Sequence, residues 1–89
     1  MDMAVEWPQW WEWELEIGPH LEKRMADRDF TEVDLRDMLE CASAFLPAAV
    51  EGRWVVKTRH RRRPWKVIVE PDLDRRLLVI VTAYPVTRT

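Results

Sequence analysis

Between Trp11 and Ile17 apolar and acidic residues alternate without exception, Trp-Glu-Trp-Glu-Leu-Glu-Ile, and the next two residues are Gly18 and Pro19. A period of two places Trp11, Trp13, Leu15 and Ile17 on one face of a strand and Glu12, Glu14 and Glu16 on the other. Such a strand holds only if its apolar face is covered, so the remaining chain must supply both a sheet and a second layer. Proline lacks the donor a ladder needs but suits the first turn of a helix. The pattern therefore predicts that the strand stops at Gly18-Pro19 and that a helix runs to about Arg28.

Thr31-Glu-Val-Asp34 is a start signal for a second helix, in which the threonine side chain satisfies an orphan amide of the first turn. Leu35, Met38, Leu39, Ala42 and Phe45 then recur at three and four, one apolar stripe that is expected to end before Pro47. From Gly52 the period returns to two. Trp54, Val56 and Thr58 face one way, with Val55, Lys57 and Arg59 opposite; residues 61–64 are expected to turn; Trp65, Val67 and Val69 mark the next strand. After a second expected turn at residues 71–74, the stretch from Leu77 to Tyr84 is apolar on both faces, as in the middle of a covered sheet. The predicted class is α+β, in the order β-α-α-β-β-β, with two helices packed on one face of a mostly antiparallel four-stranded sheet.

With 89 residues there is room for one small core, and 47% apolar with 34% charged residues argues against a disordered chain. Residues 1–10 read as a Trp-rich arm, 11–86 as the single domain and 87–89 as a tail. No apolar run approaches the roughly 20 residues of a membrane helix, and the first residues lack a basic and apolar leader, so a soluble, cytoplasmic protein is expected. Cys41 is the only cysteine; it is expected in the core, and no internal disulfide or cysteine-based metal site can be assembled, while Gly18 and Gly52 alone make no Gly-rich phosphate loop for a cofactor. Trp7, Trp10 and Trp11 exceed what a two-layer domain of this size is expected to hide, which points to a homodimer or another partner bound through the arm.

The formal net charge is only −2, but it is segregated: residues 1–16 hold five acids and no base, whereas Lys57–Lys66 holds six lysines and arginines, His60 and no acid. On the first helix His20, Arg24 and Arg28 fall at i, i+4 and i+8, a stripe of one imidazole and two guanidiniums. A guanidinium offers a planar fork of donors to phosphate, and an imidazole can move a proton. In the run Arg59-His60-Arg61-Arg62-Arg63-Pro64-Trp65, cations interleave with an indole, as in a loop that grips phosphates and stacks a base. Simpler roles compete. The helix arginines can pair with Glu22 or Asp27, His20 can be a surface residue and Tyr84 a half-buried aromatic. Lys57, Arg59 and Arg61 also recur at period two, so they could face Glu12, Glu14 and Glu16 as a ladder of ion pairs.

Taken together, His20-x-x-x-Arg24-Met25-x-x-Arg28, a second helix starting three residues later, Gly52-Arg53-Trp54 opening a strand and Thr82-x-Tyr84-Pro85 closing the last one resemble a small bacterial domain family. That family looks related to the RelE-like ribonuclease toxins of the barnase, colicin and RelE fold group. Over residues 15–86 the resemblance implies a metal-independent endoribonuclease toxin that cleaves RNA by attack of a 2′-hydroxyl, or a non-catalytic RNA-binding or protein-interaction domain on the same fold. It implies RNA and a cognate antitoxin protein as partners, and no cofactor. His20, Arg28, Arg59 and Tyr84 would be its catalytic residues, with Arg24, His60, Arg61, Arg62, Arg63 and Trp65 on the substrate.

Overall fold

In the computed structural model, which describes residues 7–86, the alternating segment forms strand β1, Glu14–Ile17, preceded by a one-turn 3-10 helix at Gln9–Glu12. Gly18 is the N-cap of helix α1, Pro19–Arg28, which ends on Asp29 in the left-handed region at φ 59°. Short polar side chains tolerate that conformation better than most. Helix α2, Glu32–Glu40, opens with a complete capping box: Asp34 N–H donates to Thr31 Oγ1 at 3.2 Å and Thr31 N–H to Asp34 Oδ2 at 2.9 Å. Strands β2, Ala44–Pro47, β3, Trp54–His60, β4, Arg63–Asp72, and β5, Leu77–Pro85, complete the chain.

The α+β class with two helices is as expected, but the sheet has five strands and is mixed, in the order β1-β5-β4-β3-β2. Strand β1 runs parallel to β5, with Leu15 beside Leu78 and Ile17 beside Ile80, while the other three pairings are antiparallel. The added strand, β2, takes the segment expected to finish the second helix. Phe45 suits a helical stripe and a strand equally well. Pairing with Val56 sets it among the rings of Trp7, Trp10 and Trp54, and that tertiary gain decides. Because the helix stops at Glu40, Cys41 becomes its C-cap and is exposed, not the core thiol expected from the apolar stripe.

Leu21, Leu35 and Met38 of the helices and Phe30 between them meet Val56, Trp65, Val67, Val69, Leu78, Ile80 and Ala83 of the sheet in one buried core. Thr58 is buried there too, its hydroxyl donating to the Met38 carbonyl. Trp10, Trp11 and Trp13 pack against this core, and Trp7 stacks on Trp11 at 4.3 Å, so the chain's own sheet partly covers the tryptophans assigned to a partner. Among the described residues the opposite face of the sheet carries no helix. In β5 one residue is extra, since Ile68 pairs with Thr82 but Val69 with Ile80, leaving Val81 as a bulge.

Candidate nucleic-acid interface

Strands β3 and β4 are joined by only two residues. His60 pairs with Arg63, leaving Arg61 and Arg62 as the turn, with φ of 54° and 67°. Two successive positive φ values are the signature of a type I′ turn, whose twist matches the strands and which normally takes Asn-Gly. Here two arginines occupy it, at a cost of about 1 kcal/mol each or more. The expected turn over residues 61–64 is thus tighter, and Pro64 lies in β4, opposite Arg59. Arg59 Nη2 donates to the Arg62 carbonyl at 3.3 Å, and Arg61 reaches Asp29 at 3.3 Å in an exposed contact. Among the described residues Arg59, Arg62 and Arg63 have no acidic partner.

The short turn also fixes the register below it. Lys57 stands directly opposite Lys66, and Lys66 opposite Tyr84 on the other side. Like charges across a strand pair repel, and no acid of the described residues pairs with either lysine. Lys57, Arg59, Pro64 and Lys66 line a cavity of about 460 Å³ with Ser43, Thr58, Trp65 and Val86. The two lysines were no part of the expected site, although reading the turn as Arg61-Arg62 would have placed them opposite each other from the sequence alone. The expected acid–base ladder does not form, because β1 and β3 are separated by β4 and β5. Glu16 instead pairs with Arg75.

The other expected residues are dispersed. His20 is exposed and lines a different cavity, of about 700 Å³, with Arg53, Glu70, Asp72, Asp74 and Val79. On β4 the two cavities centre about six residues apart, roughly 20 Å. Arg24 approaches Asp27 at 4.0 Å. Arg28 has structural work: β1 ends level with Ile80, and the guanidinium donates to the Ala83 carbonyl at 3.0 Å on the edge left open. Trp65 is 5% exposed and lies edge-on to both Phe30 and His60, a core residue and not the base-stacking surface expected. His60 is half-buried beside it, with Nε2 buried and unpartnered. Tyr84 is half-buried and borders neither cavity.

Two carboxylates, Asp34 of α2 and Asp72 at the end of β4, respond to their donors. Asp34 is held below the usual carboxylate range by the Thr31 amide, with smaller help from the Thr31 hydroxyl and the charges of His60 and Arg61. Asp72 is lowered chiefly by the Arg75 guanidinium, which is itself raised by Glu16 and Asp72. Among the described residues no three His, Cys, Asp or Glu side chains gather to hold a metal ion, and no helix is long and apolar enough to cross a membrane. No family model, curated protein or solved structure matches the chain.

Proposed function

We propose that the chain binds single-stranded RNA along the β3–β4 hairpin, with Arg59, Arg62 and Arg63 on phosphates and Lys57 and Lys66 continuing the track into the adjoining cavity. The observation that carries this reading is the turn itself. A two-residue loop that Asn-Gly would relax is held by arginines in the left-handed region, beside cations that have no acidic partner among the described residues. Strain retained in that form is compensated when an anion takes up the charge. A single strand suits the site, because its phosphates can follow a row of cations while its bases turn toward the half-buried Pro64 and Tyr84.

Titration of a labelled oligonucleotide against salt tests the reading. The logarithm of the binding constant should fall with a slope of about −0.7 per phosphate engaged, and replacing Arg62 and Arg63 by alanine should flatten the slope by about one unit or more. An unchanged slope would remove the hairpin from any RNA site. The same samples, run on a gel, separate binding from turnover. Intact RNA fits a binding domain, whereas products ending in a 2′,3′-cyclic phosphate would turn the reading toward the ribonuclease that the sequence resemblance implies.

A further inference from the structure

We infer that the cavity below the β3–β4 turn is where an RNA strand ends, a pocket for a terminal phosphomonoester and not a passage for the middle of a strand. The inference rests on the RNA reading above and adds which part of the strand the cavity holds. Its first support is the place where the cations stop. From the turn, Arg62 and Arg63 are followed by Arg59 and then by Lys57 beside Lys66, roughly 13 Å along the hairpin. The next outward row is Val55, Ile68 and Thr82, half-buried and uncharged. Past it Arg53 is held at 2.9 Å by Glu70, and Asp72 and Asp74 follow. To the sides, Lys57 is flanked by Ala44 of β2 and Lys66 by Tyr84 of β5. A polyanion entering from the turn is drawn as far as the two lysines; a phosphate carried past them meets aliphatic side chains and then carboxylates.

The second support is charge. Lys57, Lys66 and Arg59 line one cavity of about 460 Å³, together with Ser43. Arg59 gives a single Nη2 donor to the Arg62 carbonyl and keeps its other guanidinium donors for a ligand. Thr58 is not available, because its hydroxyl is engaged by the Met38 carbonyl. Three cations around one cavity outnumber the one charge of an internal phosphodiester, whereas a terminal phosphate carries about −1.5 to −2 at pH 7 and presents three acceptor oxygens. Two lysines held directly opposite each other repel until a dianion lies between them. A 5′ or a 3′ phosphate supplies the same chemistry, and experiment separates the two.

Anisotropy titrations of the full chain with one short RNA sequence in four forms test it: 5′-phosphorylated, 3′-phosphorylated, hydroxyl at both ends, and covalently circular. At least one phosphorylated form is expected to bind about tenfold or more tighter than the hydroxyl-ended strand, the strength of a few charge-assisted hydrogen bonds, and the circle no tighter than that strand. The form that gains gives the polarity of the strand. Lys57→Gln with Lys66→Gln should bring the linear forms together, whereas Arg62→Ala should weaken them all and leave their ratio; circular dichroism on each variant confirms the fold. Hydroxyl-ended and circular strands that bind as tightly as both phosphorylated ones would overturn the inference while the hairpin reading stands. A preference that survives the loss of both lysines would overturn it too, by placing the terminal phosphate elsewhere. Absence of binding by all four forms would instead remove the hairpin reading, and the inference with it.

Discussion

Two hairpin tips, both rich in arginine, lie at opposite ends of β4. At the β4–β5 tip, Leu73–Arg76, the charge of Arg75 is spent within the chain. Asp72 Oδ1 accepts the Asp74 and Arg75 amides at 3.1 Å, and Arg75 donates to Asp72 at 2.8 Å while also holding Glu16 of β1. One guanidinium thus ties the turn to the edge strand. At the β3–β4 tip, among the described residues, only Arg61 has an acid, Asp29, whose side chain is 91% exposed and so contributes little. Arginine content alone therefore says nothing about use. The local supply of carboxylates decides whether a guanidinium braces the fold or is left for an anion from outside.

RNA affinity should break the symmetry between the tips most strongly. Replacing Arg59, Arg62 and Arg63 together by alanine is expected to lower it about a hundredfold, each lost phosphate contact costing about 1 kcal/mol. Arg75→Ala should leave it within about twofold, because that guanidinium is engaged with Asp72 and Glu16. Filter binding at one salt concentration checks both, and equal losses at the two tips would erase the distinction. Stability should move the other way. Arg61→Asn with Arg62→Gly relieves two left-handed arginines and is expected to add about 1–2 kcal/mol, several degrees in Tm. At the second tip only Arg76 is left-handed, at φ 55°, so Arg76→Gly should gain about half as much. Urea melts rank the variants; no gain at Arg61-Arg62 would mean that the turn stores no strain.

What the sequence disclosed followed the range of the interaction concerned. The capping box at Thr31, the Gly18-Pro19 break and the alternation in β3 and β4 are settled within a few residues, and the structure contains them. Strand β1 beside β5 joins residues some 60 positions apart in a parallel register that no local pattern encodes, and the ladder expected between β1 and β3 failed for that reason. Strand β2 was hidden because four residues, Ala44–Pro47, are too few to show a period. Within the candidate site, the basic run was legible as composition. The alternation already separated Lys57 and Arg59 from Val56 and Thr58, but the register that sets Lys57 opposite Lys66 depended on a turn one step tighter than Arg61–Pro64 suggested. His20 and Arg59 could be chosen as partners only while distance was unknown.

The smallest effect expected is on pH dependence, and it sharpens the same comparison. Asp72, under Arg75, and Asp34, on the Thr31 amide, are both held below the usual carboxylate range in the folded chain. The folded protein therefore keeps them ionised to lower pH than the unfolded chain does. Their contribution is complete above the ordinary carboxylate value, near pH 4, and is lost as pH falls through the lowered folded values. Asp72→Asn should remove part of that loss, giving a shallower decline of the urea midpoint below about pH 4 with little change near neutrality. No carboxylate lies between Lys57 and Lys66, so Arg62→Ala should leave the decline as it is in the parent chain. Carboxyl-carbon NMR reads the two aspartates directly. Titration of Asp72 at or above the usual aspartate value would show that Arg75 does not hold it in solution, and the contrast between a self-neutralised tip and an open one would then rest on RNA affinity alone.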